Sequence, residues 1–190
     1  MSNRVGAVLL AAGESRRFGE QNKLLVEVDG KPVVSHALGT LLDSGVAEIV
    51  AVVGHESDRV SDVLGDVETQ YNPAYAEGQS TSVAVGVEIA REREWNGTLF
   101  MLGDMPFVNA ETVAELIRAY RDGEGTILAP SYKGKRGNPA LFDATHYDAL
   151  AGVSGDAGGR ELVREHGVLV PVADAGVCRD IDRVGDLDLD

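Results

Sequence analysis

The feature that most constrains the fold is the regular exchange of short, unbroken apolar runs with stretches of helical period. Residues 5–11 read VGAVLLA, with no polar side chain to mark a wet face. A strand of that kind is buried on both sides, as the strands of a parallel sheet covered by helices are. Further strands are expected at 49–53, 67–71, 98–102 and 126–129. Between them Pro32 opens a helix whose apolar positions are Val33, Ala37, Leu38, Leu41 and Leu42, with Gly45 where a C-terminal cap belongs. Helices are also expected at 57–64, at 80–93, and from a cap at Asn109 through 120. The series is βαβα, which predicts an α/β fold with a mostly parallel sheet and helices on both faces. After Pro130 the pattern weakens to a polar turn at 133–138, helices at 143–150 and 159–166, and strands at 168–172 and 177–181. No repeat or linker interrupts it, so residues 1–190 read as one domain.

In an open sheet of this class, ligands bind beyond the carboxyl ends of the strands. Three segments there carry chemistry. Residues 10–25, LAAGESRRFGEQNKLL, follow the first strand. The small residues Ala11, Ala12 and Gly13 let backbone N–H groups approach a ligand, while Arg16, Arg17 and Lys23 add positive charge. The segment is neither a Walker A loop nor a GxGxxG turn, and it reads as a phosphate cradle of another kind. Gly103-Asp104-Met105-Pro106 ends the fourth strand, where a carboxylate suits Mg²⁺ held jointly with phosphate oxygens. The competing reading is a turn aspartate bonded to its own backbone. Asp180-Ile181-Asp182 offers a second carboxylate. Alternation along a strand puts both aspartates on one face, and either is open as the ligand.

Composition narrows the partners. Thirty-one acidic residues against 17 basic ones, only four of them lysines, give a formal charge of -14, which disfavours nucleic acid. So acidic a surface also predicts tolerance of concentrated salt, where long-range repulsion is screened. Cys178 is the only cysteine, and with four scattered histidines it offers no zinc spacing and no internal disulfide. No apolar run is long enough to span a membrane and no signal segment is evident, so a cytoplasmic protein is expected. His36 and Cys178 read as packing residues, and Trp95 as an anchor at a helix end.

These segments, together with KGKRGNPALF at 133–142, SGDAGGREL at 154–162 and DIDRVGDL at 180–187, resemble the MobA-like nucleotidyltransferase family, and most of all its molybdenum cofactor cytidylyltransferase branch. The resemblance covers nearly the whole chain. It implies a Rossmann-like nucleotidyltransferase fold in which Leu10, Ala11, Ala12 and Gly13 hold the nucleotide. Lys23 would contact phosphate, Arg16 would assist as a second cation, and Asp104 with Asp182 would bind Mg²⁺. The stretch NPAYAEGQSTS at 72–82 resembles the nucleobase and ribose wall, making Gly78, Ser80 and Ser82 candidates there. Arg136, Asn138 and Arg160 would face the acceptor, a molybdopterin-type phosphate, and a molybdoenzyme that receives the product is the implied protein partner.

Two departures bear on specificity. DIDRVGDL replaces the commoner Thr-Pro-Glu after the second aspartate, and GDMP stands where the cytidylyltransferases more often have Gly-Asp-Gln-Pro. Alanine in LAAGES, where guanylyltransferases carry a second glycine, favours CTP. The expected reaction is transfer of CMP from CTP with release of pyrophosphate. The alternatives are guanylyl transfer, transfer to a sugar 1-phosphate, and, from a different class, a nucleotide- or cofactor-binding protein without turnover.

Overall fold

A computed structural model describes residues 3–15, 18, 21–152, 154 and 159–187. Its frame is β1 (Val5–Ala11), buried at every position and hydrogen-bonded in parallel to β4 (Ile49–Val53) on one side and β6 (Gly97–Leu102) on the other. Beyond β4 lies β5 (Glu68–Tyr71), also parallel. Beyond β6 come β9 (Ala140–Asp143), β7 (Ile127–Tyr132) and β10 (Val168–Pro171), in the order β10-β7-β9-β6-β1-β4-β5. The two-residue β8 (Lys135–Arg136) folds back on β7, and β2 (Glu27–Val28) with β3 (Lys31–Pro32) forms a separate small hairpin.

The expected α/β fold with a mostly parallel sheet is what forms, with an unexpected antiparallel strand inserted in the middle of that sheet. Residues 140–143 were expected to lie between a turn and a helix, yet β9 runs antiparallel between β6 and β7. Three apolar residues followed by an aspartate are too few to show a period. The strand is recruited because the turn at 133–134 sends the chain back along β7, where Phe142 pairs with both Thr98 and Ile127.

Among the described residues, six α-helices cover the sheet. Alternate residues of β1 point to opposite sides, as the pleat requires. Val5, Ala7, Leu9 and Ala11 join a core with α1 (Val33–Leu42), α2 (Ser57–Leu64) and α4 (Ala110–Arg121). Val8 and Leu10 join the opposite core with α3 (Gln79–Glu92), α5 (Tyr147–Ala151) and α6 (Arg160–His166). Full burial of each valine or leucine among them is worth about 1.5–3 kcal/mol. A third cluster, Phe18, Val28, Val33 and Ile181, ties the loop after β1 to the C-terminal segment. Trp95 is 2% exposed just beyond α3, and His36 bonds the Val28 carbonyl at 2.7 Å, so both serve the packing.

Two expectations are corrected. Residues 177–181 are not a strand. Ala175–Cys178 is a 3₁₀ turn, pressed so closely on the Phe107 carbonyl that a Cβ at Gly176 would lie 1.9 Å from its oxygen. The Asn109 side chain makes no cap bond. Its role is taken by Asp174, 5% exposed, whose Oδ2 accepts from the Asn109 amide at 2.9 Å and the Thr112 hydroxyl at 2.8 Å, while Oδ1 accepts from the Gly176 amide at 2.9 Å. One carboxylate thus joins the α4 N-terminus to the C-terminal segment. Asp174→Ala, which leaves buried donors unpaired, is expected to cost about 1–3 kcal/mol in urea unfolding, whereas Asn109→Ala should change stability by less than about 0.5 kcal/mol.

Candidate active site

The loops after β1, β5 and β6 open at the carboxyl edge of the sheet, on either side of the point where the chain leaves β1 in two directions. They enclose a cleft of about 780 Å³. Its floor is laid by the β1–β6 ladder, which continues one step past the strands as the Gly103 amide donates to the Leu10 carbonyl at 2.9 Å. A Cβ at Gly103 would stand 3.0 Å from that oxygen, which is why glycine occupies the turn before Asp104.

Four charged groups meet at one end. Lys23 Nζ donates to Asp104 Oδ2 at 2.5 Å and to Asp182 Oδ1 at 3.0 Å. Carboxylate oxygens of Asp104, Asp180 and Asp182 all lie within 4.8 Å of one another. Asp182 reaches this point because the Ile181 amide donates to the Asp104 carbonyl at 2.9 Å and Ile181 itself is fully buried. Asp186 then holds the segment, accepting from the Asp182 and Arg183 amides at 2.9 and 2.8 Å, and those bonds lower its own pKa.

The electrostatics fit an ion-binding centre. Burial raises the Asp104 carboxyl above its usual range, and Asp180 and Asp182 add to the effect against the opposing pull of Lys23. Burial disfavours the Lys23 charge, but the Asp104 and Asp182 carboxylates outweigh it and its pKa is raised. Asp104 Oδ1 is buried with no hydrogen-bond partner among the described residues. An orphaned carboxylate oxygen beside two further carboxylates is the donor set of a hard cation such as Mg²⁺ or Mn²⁺. Asp104, Asp180 and Asp182 are the residues that would hold it.

The loop that carries Lys23 is held by bonds that the sequence reading passed over. Ser15, in left-handed backbone conformation with φ 55°, accepts from the Lys23 amide at 3.0 Å and donates to Asn22 Oδ1 at 3.3 Å. Asn22 Oδ1 also accepts from the Leu24 amide at 3.1 Å. Strain of this kind gathers where surrounding bonds over-determine the backbone. A serine and an asparagine seven residues apart in a loop were the available signal.

Leu10, Ala12 and Gly13 line the cleft, whereas Ala11 turns into the core. Gly78 and Ser82 line the opposite wall, beside Tyr75, and Ser80 is buried away from it. The N-terminus of α3 faces the same space, a placement that favours negative charge. Arg160 stands at the cleft's edge. A smaller hollow that shares Leu10, Gln79, Leu102 and Arg160 with the cleft is lined by Arg136 and Asn138, and Arg136 donates to the Arg160 carbonyl at 3.1 Å. Arg16 lies outside the described residues.

Comparison with known proteins bears on the whole chain. It is 32% identical over 194 residues to the nicotine blue oxidoreductase of Paenarthrobacter nicotinovorans, an alignment covering 97% of this chain and 92% of that one. It is 32% identical over 126 residues to the bifunctional protein GlmU of Staphylococcus carnosus, where 65% of this chain matches only 28% of GlmU. Among solved structures it superposes on the Mycobacterium sp. strain JC1 homologue of Mycobacterium tuberculosis Rv0371c with a TM-score of 0.84 and 26% identity, covering 98% of this chain and 94% of that one. Rv0371c in complex with manganese gives 0.76 at 24% identity, covering 96% and 95%. A nucleotidyl transferase from Methanothermobacter thermautotroptrophicus gives 0.80 at 22%, covering 97% and 94%. Residues 7–170 match the model of the MobA-like NTP transferase domain, and the chain belongs to that family.

Proposed function

We propose that the chain is a Mg²⁺-dependent nucleotidylyltransferase that moves CMP from CTP to the phosphate of a molybdopterin-type acceptor and releases pyrophosphate. The observation that carries the reading is the meeting of Lys23, Asp104, Asp180 and Asp182 beside the open backbone of Gly13, at the carboxyl edge of the sheet. A phosphate monoester has a second pKa near 6, so at neutral pH the acceptor is already an anionic nucleophile and asks for no general base. Its oxygen forms the new bond to the α-phosphorus as the bond to the pyrophosphate oxygen breaks. The cost lies in bringing two anions together. When bound, the metal supplies charge at the phosphates. Lys23, on a loop held by Ser15 and Asn22, adds a further positive charge, and Gly13 leaves open the space where a side chain would stand. The acceptor enters past Arg160 and Arg136, the cations on that side in an otherwise acidic protein.

One observation favours a second reading: near full-length identity of 32% to a relative named as an oxidoreductase. None of the residues that line the cleft is a cysteine, so an oxidoreductase working there would take its electrons from a bound cofactor. Purified protein given Mg²⁺, molybdenum cofactor and each NTP in turn separates the readings. Pyrophosphate release greatest with CTP supports ours. A preference for GTP moves the protein to guanylyl transfer, and no release with any NTP defeats the reading.

Five variants sharpen the test. Asp104→Asn keeps volume and removes the ligand charge, and it should lower kcat for pyrophosphate release by about 100-fold or more with an unchanged circular dichroism spectrum. Asp182→Asn should cost more than Asp180→Asn, because Asp182 also fixes Lys23. At Gly13 a Cβ would meet no described protein atom within 4 Å, so Gly13→Val should leave thermal stability within about 0.5 kcal/mol while CTP binding, followed by calorimetry, is lost. Arg136→Ala should weaken the pterin acceptor more than the nucleotide when each is titrated separately.

A further inference from the structure

We propose that Asn72 is a positioning residue that fixes the direction of the Ser82 hydroxyl bond, so that the cleft wall presents a proton donor to the nucleobase. The inference rests on the nucleotide reading above and deepens it. Asn72 is 1% exposed and follows β5, its amide donating to the Val53 carbonyl at 2.8 Å. Its Oδ1 accepts from the Ala74 amide at 3.0 Å. That bond settles the orientation of the side-chain amide, because a backbone N–H faces only an acceptor. The nitrogen therefore points the other way, and Nδ2 donates to Thr81 Oγ1 and to Ser82 Oγ, both at 2.9 Å.

The two hydroxyls then part company. Thr81 Oγ1 lies 2.9 Å from the Gly78 carbonyl and 3.1 Å from the Ala74 carbonyl, so its proton is spent inward. Ser82 Oγ accepts from Asn72 and keeps its own proton, which no hydrogen bond among the described residues takes up. Ser82 is 4% exposed and lines the cleft. A buried hydroxyl proton with the cleft before it calls for an acceptor on the ligand. Lys23 and the Gly13 backbone lie on the phosphate side, whereas Ser82 shares its wall with Tyr75 and Gly78, so the acceptor is a carbonyl oxygen or ring nitrogen of the base.

Asn72→Asp inverts the arrangement with little change of shape. A carboxylate has no proton to give, so both hydroxyls must donate to it and Ser82 turns a lone pair toward the base. Affinities for CTP and for inorganic tripolyphosphate, measured by calorimetry in Mg²⁺, separate the base from the phosphates. The expected result is a loss of about tenfold in CTP affinity with tripolyphosphate binding unchanged. Ser82→Ala removes the donor without placing a charge in the core. It should show the same selective loss, which keeps the proposal open to refutation if Asn72→Asp does not fold. Equal losses for both ligands, or a Ser82→Ala protein that binds CTP as the parent does, would overturn it. A parent protein that binds no NTP more tightly than tripolyphosphate would defeat the nucleotide reading itself, and the proposal with it.

Discussion

Everything in this molecule hangs on β1 being paired on both edges and buried on both faces. A strand so enclosed spends its hydrogen bonds on β4 and β6 and its side chains on two separate cores. At its carboxyl end the ladder must stop, and there the chain turns out over the sheet edge into the loop that brings Gly13, Ser15 and Lys23 to the cleft. The cleft follows from that arrangement. Its floor and its two walls are the first loops beyond β1, β6 and β5, and nothing more elaborate than an open parallel sheet is needed to bring them together.

Charge is concentrated where this geometry allows it. In a chain with only four lysines, Lys23 stands between two carboxylates, one of them buried enough for its own pKa to rise. Such a cluster is costly to keep out of water, and Oδ1 of Asp104, buried and unbonded among the described residues, adds to that cost. Membership of the MobA-like NTP transferase family gives the arrangement a chemical setting, because phosphoryl chemistry asks for fixed positive charge and carboxylates that hold a hard cation.

The supporting bonds are as informative as the central ones. Ser15 and Asn22 hold the loop of Lys23, Asp186 holds the turn of Asp182, and Asn72 holds the wall at 74–82. Each is a short polar side chain that satisfies backbone or hydroxyl groups beside the cleft. Asp174 does the same for α4 at a distance of 65 residues in sequence. Small polar residues thus fix the loops, while the apolar residues fix the layers.

The alternation of runs such as VGAVLLA with helical patterns made the sheet, its helices and the edge where the cleft opens legible from the residues alone, because period and burial are local properties of the chain. The approach of Lys23, Asp104 and Asp182 was suggested by family resemblance, and their mutual distances required coordinates. Period says nothing about β9, whose three apolar residues become a strand only because β6 and β7 leave an edge for them. Nor could spacing choose Asp174 over Asn109 as a helix cap, separate Ala11 from Ala12 at the cleft, or show that Asp180 and Asp182 meet Asp104 without being on a strand. Those outcomes depend on which distant segments pack together, and that is decided by tertiary contact.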